Sequence, residues 1–220
     1  MLPGLDTFIS VASGPPATVT YISTAKSNAN AASYTFSAQN IGTAAADRIV
    51  VVCAYLGGSA TGDITSITVG GDALTLVGVV TETGTGGAWA IGYRLITTGA
   101  TADVIVAGGA AGRAAIDVYN VTAITTAPSA NASAKSSLLN TSSISVNITT
   151  EVDGVVIASA GHGSSTPTWT WSGATERADQ VWSEQGSFTT ASKSTIGDVL
   201  TISATPSGNS RKVINAAVWR

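Results

Sequence analysis

Apolar residues recur at every second position through most of this chain, broken only by a few short unbroken apolar runs. In GAWAIGYRLI (87–96), Trp89, Ile91, Tyr93 and Leu95 share one face, and Ala90, Gly92 and Arg94 share the other. That period of two is the mark of a half-buried strand. ITSITV (Ile64–Val69) and ALTLVGVV (Ala73–Val80) alternate in the same way. They flank Gly70-Gly71-Asp72, a small-residue turn that tolerates positive φ and predicts a hairpin. ADVIVA and GRAAIDVYNV predict a second hairpin across GGAAG. Further strands are expected at Thr18–Thr24, Ser33–Ser37, Arg48–Tyr55, Ser143–Thr149, Gly154–Ala160, Thr166–Trp171, Glu176–Trp182, Ser187–Ser192, Asp198–Ala204 and Arg211–Trp219. No segment joins helical spacing to capping residues, so helix should be minor and the class all-β.

The pattern also runs through the chain twice. DRIVVVCAYLGG (47–58) and DGVVIASAGHG (153–163) both lead from an Asp through an apolar strand into a Gly-rich loop. Later elements follow in the same order, setting Trp89 against Phe188, Arg94 against Lys193, Asp103 against Asp198 and Tyr119 against Trp219. This reads as an internal duplication, with halves at about 17–121 and 142–220. Residues 122–141, rich in Ala, Ser, Thr and Asn, read as the connector. The connector lacks Pro-rich or charged linker character, so one antiparallel, jelly-roll-like β-sandwich over 17–220 is expected rather than two tandem domains. Residues 1–16 sustain no period but carry Leu2, Leu5, Phe8, Ile9 and Val11. They read as an extended arm that docks on its own domain or on a neighbouring subunit.

At 220 residues the chain can bury a sizeable core without staples. Only 10% of residues are charged, and Ser and Thr supply the polar surface. A net charge of −3 with scattered Lys and Arg argues against nucleic-acid binding, which needs a basic patch. Cys53 is the single cysteine, inside an apolar run, and reads as a buried structural thiol. The apolar runs are strand-sized, so no membrane insertion is expected. The first positive side chain is Lys26 and prolines interrupt the N-terminal region, so synthesis in the cytoplasm is expected.

Candidate chemistry is sparse. His162 is the lone histidine, in a Gly/Ser stretch, with no G-x-S-x-G sequence anywhere, so it reads as a polar loop residue. One His and one isolated Cys do not make a zinc site, and no metal or other cofactor is expected. TGTGG (83–87) and AGGAAG (107–112) precede no helix, so they read as turns rather than phosphate loops. Acids and indoles gather in one region, where Glu176, Asp179 and Glu184 lie near Trp169, Trp171 and Trp182. Trp169 and Trp171 have the same parity and so share a face. Turned outward they would form a platform for a sugar ring or a partner; turned inward, which we favour, they are core. The acids could in principle serve glycoside hydrolysis, the least favoured reading.

The order DRIVVV, ITSITVGGDALTLV, AWAIGYRL, TGATADVIVAGG, AAIDVYNV, then VDGVVIASAG, TWSGATERAD, GSFTTASK, DVLTISATPSGN and INAAVW resembles a class of Gly/Ser/Thr-rich β-sandwich proteins. Members of that class occur in structural modules of tailed bacteriophages and in some bacterial surface proteins. The resemblance covers roughly residues 30–220. It implies a non-enzymatic virion component of the capsid-decoration, head-fibre or tail-accessory type, with no catalytic residues to carry over. It also implies virion localisation, other virion proteins as partners, and a homo-oligomer, a trimer being common in such particles. The alternative is a carbohydrate-binding or adhesin module that uses Trp169, Trp171 and Trp182 on host glycans.

Overall fold

The computed structural model describes residues 14–58, 62–82, 87–123, 125–140, 142–162, 168–182 and 186–220. Every regular element among them is a strand, and every strand pair is antiparallel. The first half supplies β1 (Thr18–Ser27), β2 (Ala31–Asn40), β3 (Arg48–Gly57), β4 (Ile64–Val69), β5 (Asp72–Ala73), β6 (Thr75–Glu82), β7 (Gly87–Leu95), β8 (Thr101–Ala111) and β9 (Arg113–Thr122). These form a five-stranded sheet of order β1-β9-β3-β7-β6 and a smaller sheet of order β2-β8-β4-β5.

The second half supplies β10 (Ala130–Asn140), β11 (Ile144–Thr149), β12 (Val152–His162), β13 (Trp169–Ser172), β14 (Thr175–Val181), β15 (Ser187–Ile196), β16 (Val199–Pro206) and β17 (Ser210–Trp219). Their sheets run β10-β17-β12-β15-β14 and β11-β16-β13. The two strand orders match place for place, and only the two-residue β5 has no counterpart. The repeat seen in the sequence is therefore a repeat of topology. Its register differs at one point. Gly92 pairs with Val52 and Val52 with Val118, just as Lys193 pairs with Val156 and Val156 with Val218. Matching Val118 to Val218 sets Lys193 against Gly92, two residues from the Arg94 that the sequence suggested.

The single two-layer sandwich expected for 17–220 is not what forms. Each half closes a complete sandwich from its own strands, and the two five-stranded sheets then pack against each other, giving four layers. Three apolar cores fill the gaps. One lies within the first sandwich and includes Tyr34, Phe36, Val50, Val52 and Ile67. Another lies within the second and includes Ile144, Val156, Trp169 and Ile202. The third joins the halves and holds Val51, Tyr55, Trp89, Tyr119, Ile157, Phe188 and Trp219. Both faces of the inner sheets are thus covered, which explains why IVVVCAYL has no polar alternation: all ten residues of β3 are buried.

Both expected hairpins instead pass between sheets. Gly70 and Gly71 take φ of 60° and 89°, and the turn pairs only Val69 with Asp72 and Thr68 with Ala73. Leu74 then enters the first core and β6 continues beside β7 in the other sheet. Likewise β8 and β9 belong to different sheets and meet at Gly112, whose N–H donates to the carbonyl of Gly57 at 2.9 Å. A Cβ at Gly112 would sit 2.7 Å from the Gly58 oxygen, so this corner requires glycine.

Residues 122–141 do not act only as a connector. Ala130–Asn140 is the edge strand β10, paired with β17. Ala130, Ala132 and Ala134 pack on the second core at alternate positions. Alanine and serine are weak strand formers, and tertiary packing overrides that preference here.

Candidate functional site: the seam between the inner sheets

The seam between the inner sheets gathers the largest side chains and the most buried polar groups. Tyr55 stands at its centre, with ring centroids 5.0 Å from Trp89, 5.3 Å from Trp182 and 6.2 Å from Phe188. Further along, Tyr21 meets Tyr119 edge-on at 5.3 Å, and Tyr93 meets Trp219 at 6.1 Å. Such offset and edge contacts match aromatic quadrupoles and add to the area they bury. Cys53 lies in the same layer, and burial, reinforced by Asp117, pushes its thiol well above the ordinary range. It is the structural thiol expected.

Asp117 of β9 is wholly buried in this seam. The Thr190 hydroxyl donates to its Oδ2 at 2.7 Å, and the Gln180 amide donates to its Oδ1 at 3.0 Å. The Tyr119 hydroxyl donates in turn to Thr190 Oγ1 at 2.6 Å. The knot stitches the first inner sheet to the second, since Asp117 and Tyr119 come from β9, Gln180 from β14 and Thr190 from β15. Burial pushes the Asp117 carboxyl up to about 6, against the lowering effect of these hydrogen bonds.

This makes a pH prediction. A carboxyl whose folded pKa lies above its unfolded value stabilises the fold fully below about 4 and loses that contribution as pH rises through 6. The change is about 3 kcal/mol across the window. Urea midpoints of wild type and Asp117→Asn, measured from pH 4 to 7.5, should therefore diverge in the variant's favour as pH rises. A difference that stays flat across that range would contradict the assignment.

The three tryptophans singled out in the sequence do not form an outward platform. Trp169 and Trp171 share one face of β13, as alternation requires, but it is the inner face. Trp169 is buried in the second core, with its indole N–H on Ser187 Oγ at 2.8 Å. Trp171 is half-buried on the same core and donates to Thr189 Oγ1 at 2.9 Å. Trp182 is buried in the seam, and Lys26 Nζ lies 5.6 Å from its ring centre. A sugar ring needs an exposed indole face, and these faces are taken up by packing. Of the acids beside them, Asp179 is also held by the fold, and Glu176 is exposed. Asp179 Oδ2 accepts the Trp169 backbone N–H at 3.1 Å, and burial raises the pKa of both Asp179 and Glu176. Glu184 lies outside the described residues, as do Leu2, Leu5, Phe8, Ile9 and Val11 of the arm.

His162 is not a loop residue. It ends β12, pairs with Ser187, and is fully buried. Burial lowers its pKa to about 4, with Glu82 opposing the shift. A histidine so poised is neutral at pH 7 and a weak proton acceptor, unlike a general base tuned to its working pH. Among the described residues, no cluster of His, Cys, Asp or Glu has the makings of a metal site.

The opposite end of the first sandwich holds a group that sequence reasoning missed. Arg48, the first residue of β3, is buried, and its guanidinium donates to backbone carbonyls of two loops. Nε reaches Ile96 O at 2.7 Å; Nη1 reaches Gly42 O at 2.6 Å, Gly99 O at 2.8 Å and Ile41 O at 3.3 Å; Nη2 reaches Thr98 O at 2.6 Å. In the second half Val152 pairs with Ile196 as Ile49 pairs with Leu95, so Val152 answers to Ile49 and not to Arg48. Next to it, the Ala17 N–H donates to Asp153 O at 2.7 Å, so the N-terminal segment enters the fold at this end of the seam. No protein-family model matches the chain, and no curated protein matches it.

Proposed function

We propose that this chain is a non-enzymatic structural protein of a tailed-bacteriophage virion, a capsid-decoration or tail/fibre component anchored through its N-terminal arm. On this reading it is made in the host cytoplasm, works in the virion beside other virion proteins, and assembles as a homo-oligomer, a trimer being one form it could take. The observation that carries the reading is the doubled sandwich. Its buried acids, indoles and arginine are engaged in holding sheets and loops to one another, as suits a rigid part. The strand order β1-β9-β3-β7 facing β2-β8-β4-β5 we take as jelly-roll-like, an arrangement that recurs in capsid and lectin domains. Ala17 is bound to Asp153 at one pole, between the two sandwiches, and on this reading the arm before it reaches a neighbouring surface.

The test is truncation. A chain lacking residues 1–13 should fold with an unchanged far-ultraviolet spectrum and fail to join particles when supplied during assembly. Normal incorporation of the truncated chain, or its absence from particles made with the full-length protein, would refute the reading.

A further inference from the structure

A strand at the edge of a sheet offers a row of unpaired N–H and C=O groups, and folds blunt such edges with bulges, charge or short strands. Most edges of the four sheets here are blunted in this way. β1, β2, β6, β10 and β14 each break register with their neighbour. β5 has two residues and β13 four. The remaining edge is β11. It runs six residues, Ile144–Thr149, in unbroken register with β16, and holds no charge, Pro or Gly. Among the described residues it pairs with no other strand. Every second residue of β11 therefore turns its N–H and C=O away from β16.

The duplication sharpens the contrast. In the first sandwich β2 holds the place that β11 holds in the second. The register of β2 breaks twice, Ala38 sits at a φ of 50°, and the Asp103 carboxylate takes the Ala38 N–H at 2.8 Å. A strand broken in this way is a poor template for another. β11 has no such break. Thr150 closes its end by donating to the Asp198 carbonyl from its N–H at 2.9 Å and its hydroxyl at 2.8 Å. One half blocks its outer edge and the other keeps it open.

The face pattern of β11 also complements itself. Ile144, Val146 and Ile148 point into the second core, and Ser145, Asn147 and Thr149 are exposed. Residues opposite each other in an antiparallel pair share a face. A two-fold axis at Val146 sets Ile144 against Ile148, Val146 against its own copy and Ser145 against Asn147. All three apolar residues find apolar partners, and no charges meet. We propose that β11 is a docking edge through which two copies of this chain pair antiparallel about a two-fold axis at Val146. Two three-stranded sheets then become one continuous sheet. So short an edge buries less than the roughly 800 Å² per partner of a standard interface, so the contact is weak in dilute solution and fills at high local concentration. It gives the homo-oligomer proposed above a surface, and it is read on free protein, so its failure is told apart from a failure of particle incorporation.

Analytical ultracentrifugation of the full-length protein tests it. Wild type should be monomeric at about 1 μM and a reversible dimer at about 500 μM. Ser145→Lys combined with Asn147→Lys sets like charges opposite each other twice across the axis, and should weaken dimerisation about tenfold. Ser145→Lys combined with Asn147→Glu sets opposite charges at the same places, and should dimerise at least as tightly as wild type. Both variants lose the hydrogen bond from the Thr201 hydroxyl to Asn147 Oδ1, so the second controls for that loss. A wild type that stays monomeric at about 500 μM would overturn the proposal. So would self-association that the double-Lys variant leaves unchanged, which would place the contact on another surface. A Lys/Glu variant as weak as the double-Lys variant would refute the register.

Discussion

Replacing Arg48 by alanine should lower the stability of the protein by about 3–5 kcal/mol, among the largest losses any single substitution outside the seam can cause. The guanidinium serves carbonyls of Ile41, Gly42, Ile96, Thr98 and Gly99, and so holds the β2–β3 loop and the β7–β8 loop to the start of β3. A carbonyl stripped of its donor in a buried place carries its full desolvation cost, and here several lose theirs together. Arg48→Met separates hydrogen bonding from packing. It fills much of the volume but donates nothing, so its urea midpoint should fall nearly as far as that of Arg48→Ala. Arg48→Lys should lie between, because an ammonium offers three donors from one point and lacks the guanidinium's planar fork. If Arg48→Met matches wild type, the side chain acts as apolar filler and this account of the pole fails.

The second large effect belongs to the seam. Trp219 is fully buried, packs edge-on against Tyr93 of the other half, and ends β17 beside Val155. Trp219→Ala should cost about 3–5 kcal/mol, from lost burial and from the cavity that the rigid neighbours cannot fill. The location matters more than the amount. Because the indole touches both halves, the loss should lower the resistance of β3 and β9 as well as that of β12 and β17. Thermal unfolding followed by Tyr and Trp fluorescence should keep a single transition at a lower midpoint. A variant in which the second half melts early and the first keeps its wild-type midpoint would contradict a shared core.

Much of this architecture could be read from alternation and turn chemistry. The period-two pattern of 87–96 placed β7, and the recurrence of Asp, apolar strand and Gly-rich loop placed the duplication. The number of layers was legible too, but in a different feature. A strand with one wet face alternates, whereas IVVVCAYL, AAIDVY and VVIASAG do not, because sheets cover both of their faces. That absence of alternation was the signal for four layers. The hairpins failed for a related reason. A Gly-Gly-Asp turn fixes the local reversal, but Leu74 decides where the chain goes next, and it goes into the first core. β10 was hidden by its Ala and Ser content, since its only apolar signal is a row of methyl groups at alternate positions. The site was less legible. Parity showed that Trp169 and Trp171 share a face, but whether that face is wet depends on which sheet lies across from it. Apart from the Arg48 bonds to Ile41 and Gly42, the contacts of Arg48 and Asp117 reach residues 48 to 73 positions away in sequence, and no local pattern announces them.

The central claim is that two sandwiches behave as one body because their inner sheets share an apolar layer. Native-state hydrogen exchange across a urea series, read by mass spectrometry on peptides from β3, β9, β12 and β17, tests it most directly. A shared layer predicts that the slowest amides of all four strands open in one cooperative step with a common free energy and a common urea dependence. Opening of β12 and β17 at a lower urea concentration, with β3 and β9 still protected, would show two independent sandwiches and contradict it.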